Sequence, residues 1–227
     1  MLFYFLIFLL IALFSLYKNE QTKNIFFICC GLLLFFIAAF RGDIDNDYQG
    51  YVNLYNQAAT LTIIRIEPTF LIISFIVKHL FNNVVYLFII YSLLGVCIKF
   101  YAIKKYTDYY LLSALIYFSN FYIFHEMTQI RVGVASALIL LSIVPILDRK
   151  FWTFLILIII AFLFHYSAII ALPLYFLNGR KINVLIFSLV IPVSYLFYFL
   201  SINVTFLIDL IPIPEINAKF LMYKELS

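Results

Sequence analysis

The sequence predicts an all-α protein: a polytopic membrane helix bundle of about eight spans, with one short interfacial or re-entrant helix on the outer face. Three observations lead there. The 227 residues are 66% hydrophobic and only 11% charged, and the mean hydropathy is +1.09. A soluble domain is about 45–50% apolar and about 25% charged, so no water-soluble core of this length could hide so much apolar surface. The apolar residues fall in runs near the roughly 20 residues that a spanning helix needs. Finally, the basic residues of the short connections come in pairs, which assigns those connections to sides.

In chain order, the run at 2–17 reads as a span rather than a cleaved leader, because no basic stretch precedes it and no small-residue cleavage site follows. Further apolar stretches lie at 25–40, 68–81, 84–103, 109–125, 130–147, 151–164, 166–177 and 182–200. Segments 68–81 and 166–177 are short, and the latter joins its predecessor only through His165 and Tyr166. Four connections carry basic pairs: Lys18/Lys23, Lys104/Lys105, Arg149/Lys150 and Arg180/Lys181. If every stretch crossed, the first pair would lie opposite the other three. If 68–81 does not cross, all four lie on one side, the cytoplasm, and the N-terminus lies outside. The second arrangement is preferred, since 68–81 also carries Lys78 and His79 near its end. There is no repeat and no linker. The chain reads as one transmembrane domain, 1–227, with a large outer loop at about 41–67, the short helix at about 68–81 and an outer C-terminal segment at about 201–227.

The composition excludes a soluble enzyme, a coiled coil, a disordered chain and a nucleic-acid binder. The net charge of +4 sits in loop pairs rather than on one face. Cys29, Cys30 and Cys97 lie inside apolar runs and read as small hydrophobes. No Cys/His spacing indicates a metal site.

With those sides, the outer face collects Arg41, Asp43, Asp45, Asp47, Arg65, Glu67, His125, Glu126, Arg131 and His165. Charge at membrane depth costs about 2.5–3.5 kcal/mol on insertion scales and marks function by default. In the loop that begins at Arg41, Gly42 suits the left-handed residue that ends a helix. Asp43, Asp45 and Asp47 alternate like the start of a calcium loop, but that loop needs Gly at its sixth position and Glu at its twelfth, where Tyr48 and Leu54 stand. A plainer reading has the acids capping the next helix. The functional reading is an active-site loop whose Tyr48, Tyr51 and Tyr55 present rings for sugar stacking.

Pro68 suits the first turn of a helix, and Glu67 suits its dipole. Capping alone could account for Glu67, but not for Arg65. Arg131 opens an otherwise apolar helix whose Gly133, Ala135, Ser136 and Ala137 permit close packing. It either snorkels to headgroups or clamps a phosphate through its planar fork. His165 lies at an outer turn, where a neutral imidazole could act as general base. His125 and Glu126 read as interfacial residues on another outer turn.

These residues resemble a known family. Arg41-Gly-Asp43 with Asp47-Tyr48 and Tyr51 comes first, then Glu67-Pro68-Thr69-Phe70. Gln129-Ile-Arg131-Val-Gly-Val-Ala135 follows, and then Phe164-His165-Tyr-Ser167-Ala168 with Leu172-Pro173-Leu174. This order resembles the bacterial exopolysaccharide and O-antigen polymerases of the Wzy/EpsG type over roughly residues 1–200. The resemblance implies a multi-pass protein of the bacterial cytoplasmic membrane that polymerises repeat units carried on undecaprenyl pyrophosphate at the outer face, beside other polysaccharide-assembly proteins. Family members are commonly longer, so the chain reads as a short member, a truncated product or a fragment. On this reading Arg41, Arg65 and Arg131, with Tyr48 and Tyr51, bind substrate. His165, Asp43, Asp47 or Glu67 supplies the base. No cofactor or metal is expected. The competing class is a transporter or translocase of lipid-linked oligosaccharide, which should carry charge near the bilayer midplane. The middle of the expected spans reads as nearly free of charge.

Overall fold

The computed structural model of the chain describes residues 2–17, 19–43, 47–59 and 66–176, with short helical pieces at 188–189, 191–193 and 195–196. The chain forms two units, Met1–Leu177 and Asn178–Ser227. Those pieces apart, the span expected at 182–200 and the segment expected at 201–227 lie outside the described residues, as do Asp45 and Arg65.

All regular structure among the described residues is helical. Helix α1 covers Leu2–Ser15 and α2 covers Glu20–Ala39. The second starts at Glu20 rather than residue 25 because the Asn19 side chain accepts from the backbone N–H of Gln21 and of Thr22, satisfying donors that a helix start leaves orphaned. Its buried residues Phe27, Cys30, Leu34 and Ala38 recur at helical spacing. Its other face leaves Ile28, Leu32 and Phe36 exposed, a surface suited to hydrocarbon. After Phe40 the chain turns at Gly42, whose φ of +61° is left-handed backbone that glycine takes without a Cβ clash.

Within the expected outer loop lies an amphipathic helix, α3 (Tyr48–Ala59), which packs its Tyr51, Tyr55 and Ala58 inward against α4 (Pro68–Leu80). At about 1.5 Å per residue α4 reaches about 20 Å, short of the roughly 30 Å hydrocarbon core. Helix α5 (Val85–Tyr106) is the centre of the unit, packed between α2 and α7. Helix α6 (Tyr110–Tyr117) runs directly into a π-helix, Phe118–Thr128. Helix α7 (Ile130–Leu141) is followed by α8 (Ile143–Leu147), then by α9 (Phe151–Phe164) and a 3-10 helix, Tyr166–Phe176. Among the described residues, length and composition allow three stretches to cross a membrane: Glu20–Ala39, Val85–Tyr106 and Ile130–Leu147. Leu2–Ser15, Pro68–Leu80, Phe151–Phe164 and Tyr166–Phe176 are apolar but shorter.

The expected outer turn at His125–Glu126 is not a turn. The π-helix carries the chain through both residues to Thr128, and its wider winding faces Glu126 into the bundle, 1% exposed. Runs of π-helix are rare and concentrate at functional positions.

Candidate functional site

The backbone places Glu67 before its side chain does anything. A residue preceding proline is pushed out of the α region, and Glu67 has φ −57° and ψ 137° with Pro68 opening α4. Its carboxylate makes no capping hydrogen bond. The side chain instead crosses to two other elements. One oxygen pairs with Arg131 Nη1 at the start of α7. The other lies 2.7 Å from His165 Nδ1, where α9 ends. His165 is released from the helix by extended backbone (φ −156°, ψ 125°) while its N–H still bonds Ala161. Two more bonds seal this junction: Thr69 Oγ1 donates to the Leu163 carbonyl at 2.7 Å, and the Tyr166 hydroxyl donates to the Ile66 carbonyl at 3.2 Å.

A carboxylate can only accept, so the Glu67 contact puts the ring proton on Nδ1 and leaves Nε2 of His165 as an acceptor. The Glu67 side chain is 5% exposed, that of Arg131 22% and that of His165 28%. Burial alone would raise the Glu67 carboxyl, but the His165 hydrogen bond and the Arg131 charge outweigh it and hold the group below its usual range. The Glu67–Arg131 pair is thus ionised at neutral pH, with the His165 ring at the more open edge. Arg131 is turned toward Glu67 and the aromatic rings beside it. Its guanidinium carbon lies 5.7 Å from the Tyr51 ring and 5.6 Å from the Phe70 ring.

Among the described residues Arg41 is the most deeply held arginine, 2% exposed. Its Nη1 donates to the carbonyls of Glu126, at 3.3 Å, and Met127. Its guanidinium lies over the rings of Phe88 (4.3 Å) and Tyr51 (5.8 Å). Arg41 and Arg131 therefore share Tyr51. That ring is turned inward, 7% exposed, and Tyr48 stacks on Phe88. The Tyr51 ring lines the arginines rather than standing open, while Tyr48 is half-buried. Asp43 accepts from Gln49 Nε2 at 2.8 Å on the surface, and Asp47 sits at the start of α3.

One charged group escaped the sequence reading. Lys99, deep in α5 and 4% exposed, pairs with Glu126 and donates to the Gly133 carbonyl at 3.0 Å. The Tyr117 hydroxyl donates to the same carboxylate at 3.0 Å. The Lys99–Glu126 pair is an exception to the expectation that the middle of the spans is nearly free of charge. The signal was present as a lone cation inside the run 84–103, one helical turn after Gly95, but the neighbouring pair Lys104/Lys105 obscured it. Among the described residues no group of His, Cys, Asp and Glu forms a metal cluster.

A sequence-family model of the EpsG family matches residues 24–227. The chain is also 26% identical over 179 residues to the amylovoran biosynthesis protein AmsC of Erwinia amylovora, covering 72% of this chain and 48% of that protein. It thus spans about half the length of that relative. No solved structure matches it significantly. With the match extending over nearly the whole sequence, the chain belongs to the EpsG family.

Proposed function

We propose that this protein acts in exopolysaccharide biosynthesis as a polymerase, joining repeat units carried on undecaprenyl pyrophosphate at the outer face of the cytoplasmic membrane. Family membership and the biosynthetic relative support the setting. The observation that carries the chemistry is one buried carboxylate, Glu67, holding a histidine and an arginine together. In the proposed step, the oxygen of an acceptor sugar hydroxyl bonds to the anomeric carbon of the growing chain. The bond from that carbon to the pyrophosphate oxygen breaks, and undecaprenyl pyrophosphate leaves with the electron pair. The hydroxyl proton passes to His165 Nε2, and Glu67 stabilises the imidazolium that results. Arg131 and Arg41 meet the charge that builds on the leaving group. Asp43 and Asp47, beside Arg41 in sequence, are the alternative bases, and Arg65 is a third candidate cation. Eight spans with α4 interfacial or re-entrant complete the proposal.

The test is His165→Gln in the native host, with protein abundance measured beside polymer. Gln keeps a hydrogen bond but cannot take the proton near neutral pH. Polymer should fall by about 10²–10⁴-fold, with abundance unchanged and lipid-linked single units accumulating. Restored polymerisation would remove His165 as the base. The Lys99–Glu126 pair favours a second reading, a translocase, because it places charge inside the bundle. The two readings differ in where units accumulate when function is lost. A polymerase defect leaves them reactive to an impermeant oxidant on intact cells, and a translocase defect leaves them protected. Sidedness is read from single cysteines in a cysteine-free version: Asn46 and Asn82 should label from outside, Tyr106 and Asn178 should not. Protection at Asn82 would make 68–81 a span and disperse the outer cluster.

A further inference from the structure

We infer that Lys99 is a positioning residue for Arg41, acting through Glu126 and the end of the π-helix. The inference rests on the polymerase reading for its activity arm only.

The last carbonyls of a helix have no partner within it. In this π-helix the Phe124 carbonyl is taken by the Gln129 N–H at 2.8 Å, and the Glu126 and Met127 carbonyls that follow accept from Arg41. The helix end is thus a socket for the guanidinium, and its negative dipole end suits a cation. The socket's place depends on Glu126, because this residue is fastened at both ends. Its carbonyl meets Arg41, and its carboxylate is seated between Lys99 and Tyr117.

The seat has been cleared for it. A Cβ at Gly95 would collide with Glu126 Oε2, and one at Gly133 would come within 2.7 Å of the His125 carbonyl and 3.0 Å of Glu126 Oε2. Lys99 also donates to the Gly133 carbonyl. It therefore ties α5, α7 and the π-helix together at one point. From Arg41 the path reaches the Tyr51 ring, and on its far contact Arg131 and Glu67.

Plain charge compensation would need Lys99 only to neutralise Glu126. The two roles separate in the variant Lys99→Met/Glu126→Gln, which removes both charges. Replacing a buried ion pair by neutral groups is often neutral or stabilising, so this variant should reach the membrane at wild-type abundance or above. Compensation alone predicts normal polymer. Positioning predicts a loss of about 10²-fold, the scale of a displacement near 1 Å in a reacting constellation.

Two further measurements accompany it. In a version lacking Cys29, Cys30 and Cys97, Thr128→Cys is labelled with a thiol reagent in broken membranes. The neutral pair should speed labelling several-fold as the helix end loosens. Polymer is also compared in Arg41→Lys alone and in combination with the neutral pair. If Lys99 acts through Arg41, the combination is no worse than Arg41→Lys. Normal polymer with unchanged labelling overturns the inference, as does a further comparable loss in the combination. Faster labelling with Arg41→Lys fully active would uphold the positioning of the helix end and refute the role of Arg41 at the leaving group.

Discussion

Glu67→Gln is the most informative single change, because one carboxylate serves two partners. Gln has the same shape, so nothing is overpacked. Each of the two contacts, to Arg131 and to His165, falls from a charge-assisted hydrogen bond to an ion–dipole or neutral one. Bonds to charged groups contribute about 1.5–3 kcal/mol and neutral ones about 0.5–1.5, so each contact loses about 1–1.5 kcal/mol. The Arg131 loss is a folding term. Breaking a fully buried pair costs about 3–5 kcal/mol, but Arg131 and His165 keep 22% and 28% of their side-chain surface exposed, which keeps the structural cost below that range, at about 1–1.5 kcal/mol. The His165 loss is a rate term, since the imidazolium exists only as the proton arrives. About 1–1.5 kcal/mol there is a roughly 5- to 12-fold fall in turnover. The assay counts polymer and lipid-linked single units per molecule of protein in membranes. The companion variant Glu67→Gln/Arg131→Met removes the stranded cation and should recover abundance without recovering polymer. Polymer returning with abundance would show that Glu67 only fastens α4 to α7 and α9, and the catalytic assignment would be wrong.

Arg131→Lys keeps the charge and the Glu67 pair but loses the planar fork; polymer should fall at least tenfold at unchanged abundance, and near-normal polymer would defeat the phosphate-clamp role. The Glu67 contribution to stability has a definite pH sign. Its folded pKa lies below the ordinary 4.5, so the contribution is complete above about pH 4.5 and vanishes as pH falls through the lower folded value. Below about pH 4.5 the difference in thermal midpoint between wild type and Glu67→Gln in detergent should shrink as pH falls; a difference that keeps growing in that range contradicts the pairing. Gly133→Ala should destabilise by about 1–3 kcal/mol through overpacking, because its Cβ meets the His125 carbonyl at 2.7 Å; a midpoint equal to wild type would mean that the π-helix end is free to move away.

Helix positions were legible in the sequence because a chain in hydrocarbon must satisfy its backbone internally, so long apolar runs have few alternatives to helix. The starts of α4 at Pro68 and of α9 at Phe151, and the break at His165, stand where the apolar pattern put them. Among the site residues, Glu67, Arg131 and His165 were visible as charge adjoining apolar runs. That Glu67 sits between the other two was not visible: they are 64 and 98 positions away in sequence, and no local rule links them. Only tertiary packing decided that Tyr51 would be enclosed between two arginines instead of facing a sugar. It likewise decided that Glu126 would turn inward, since one residue's direction there depends on π rather than α winding. Lys99 was readable as a lone cation, but its partner was fixed by the space that Gly95 and Gly133 leave between α5 and α7. Periodicity and hydropathy are properties of neighbours along the chain, whereas ion pairs between helix ends are set by how the helices cross.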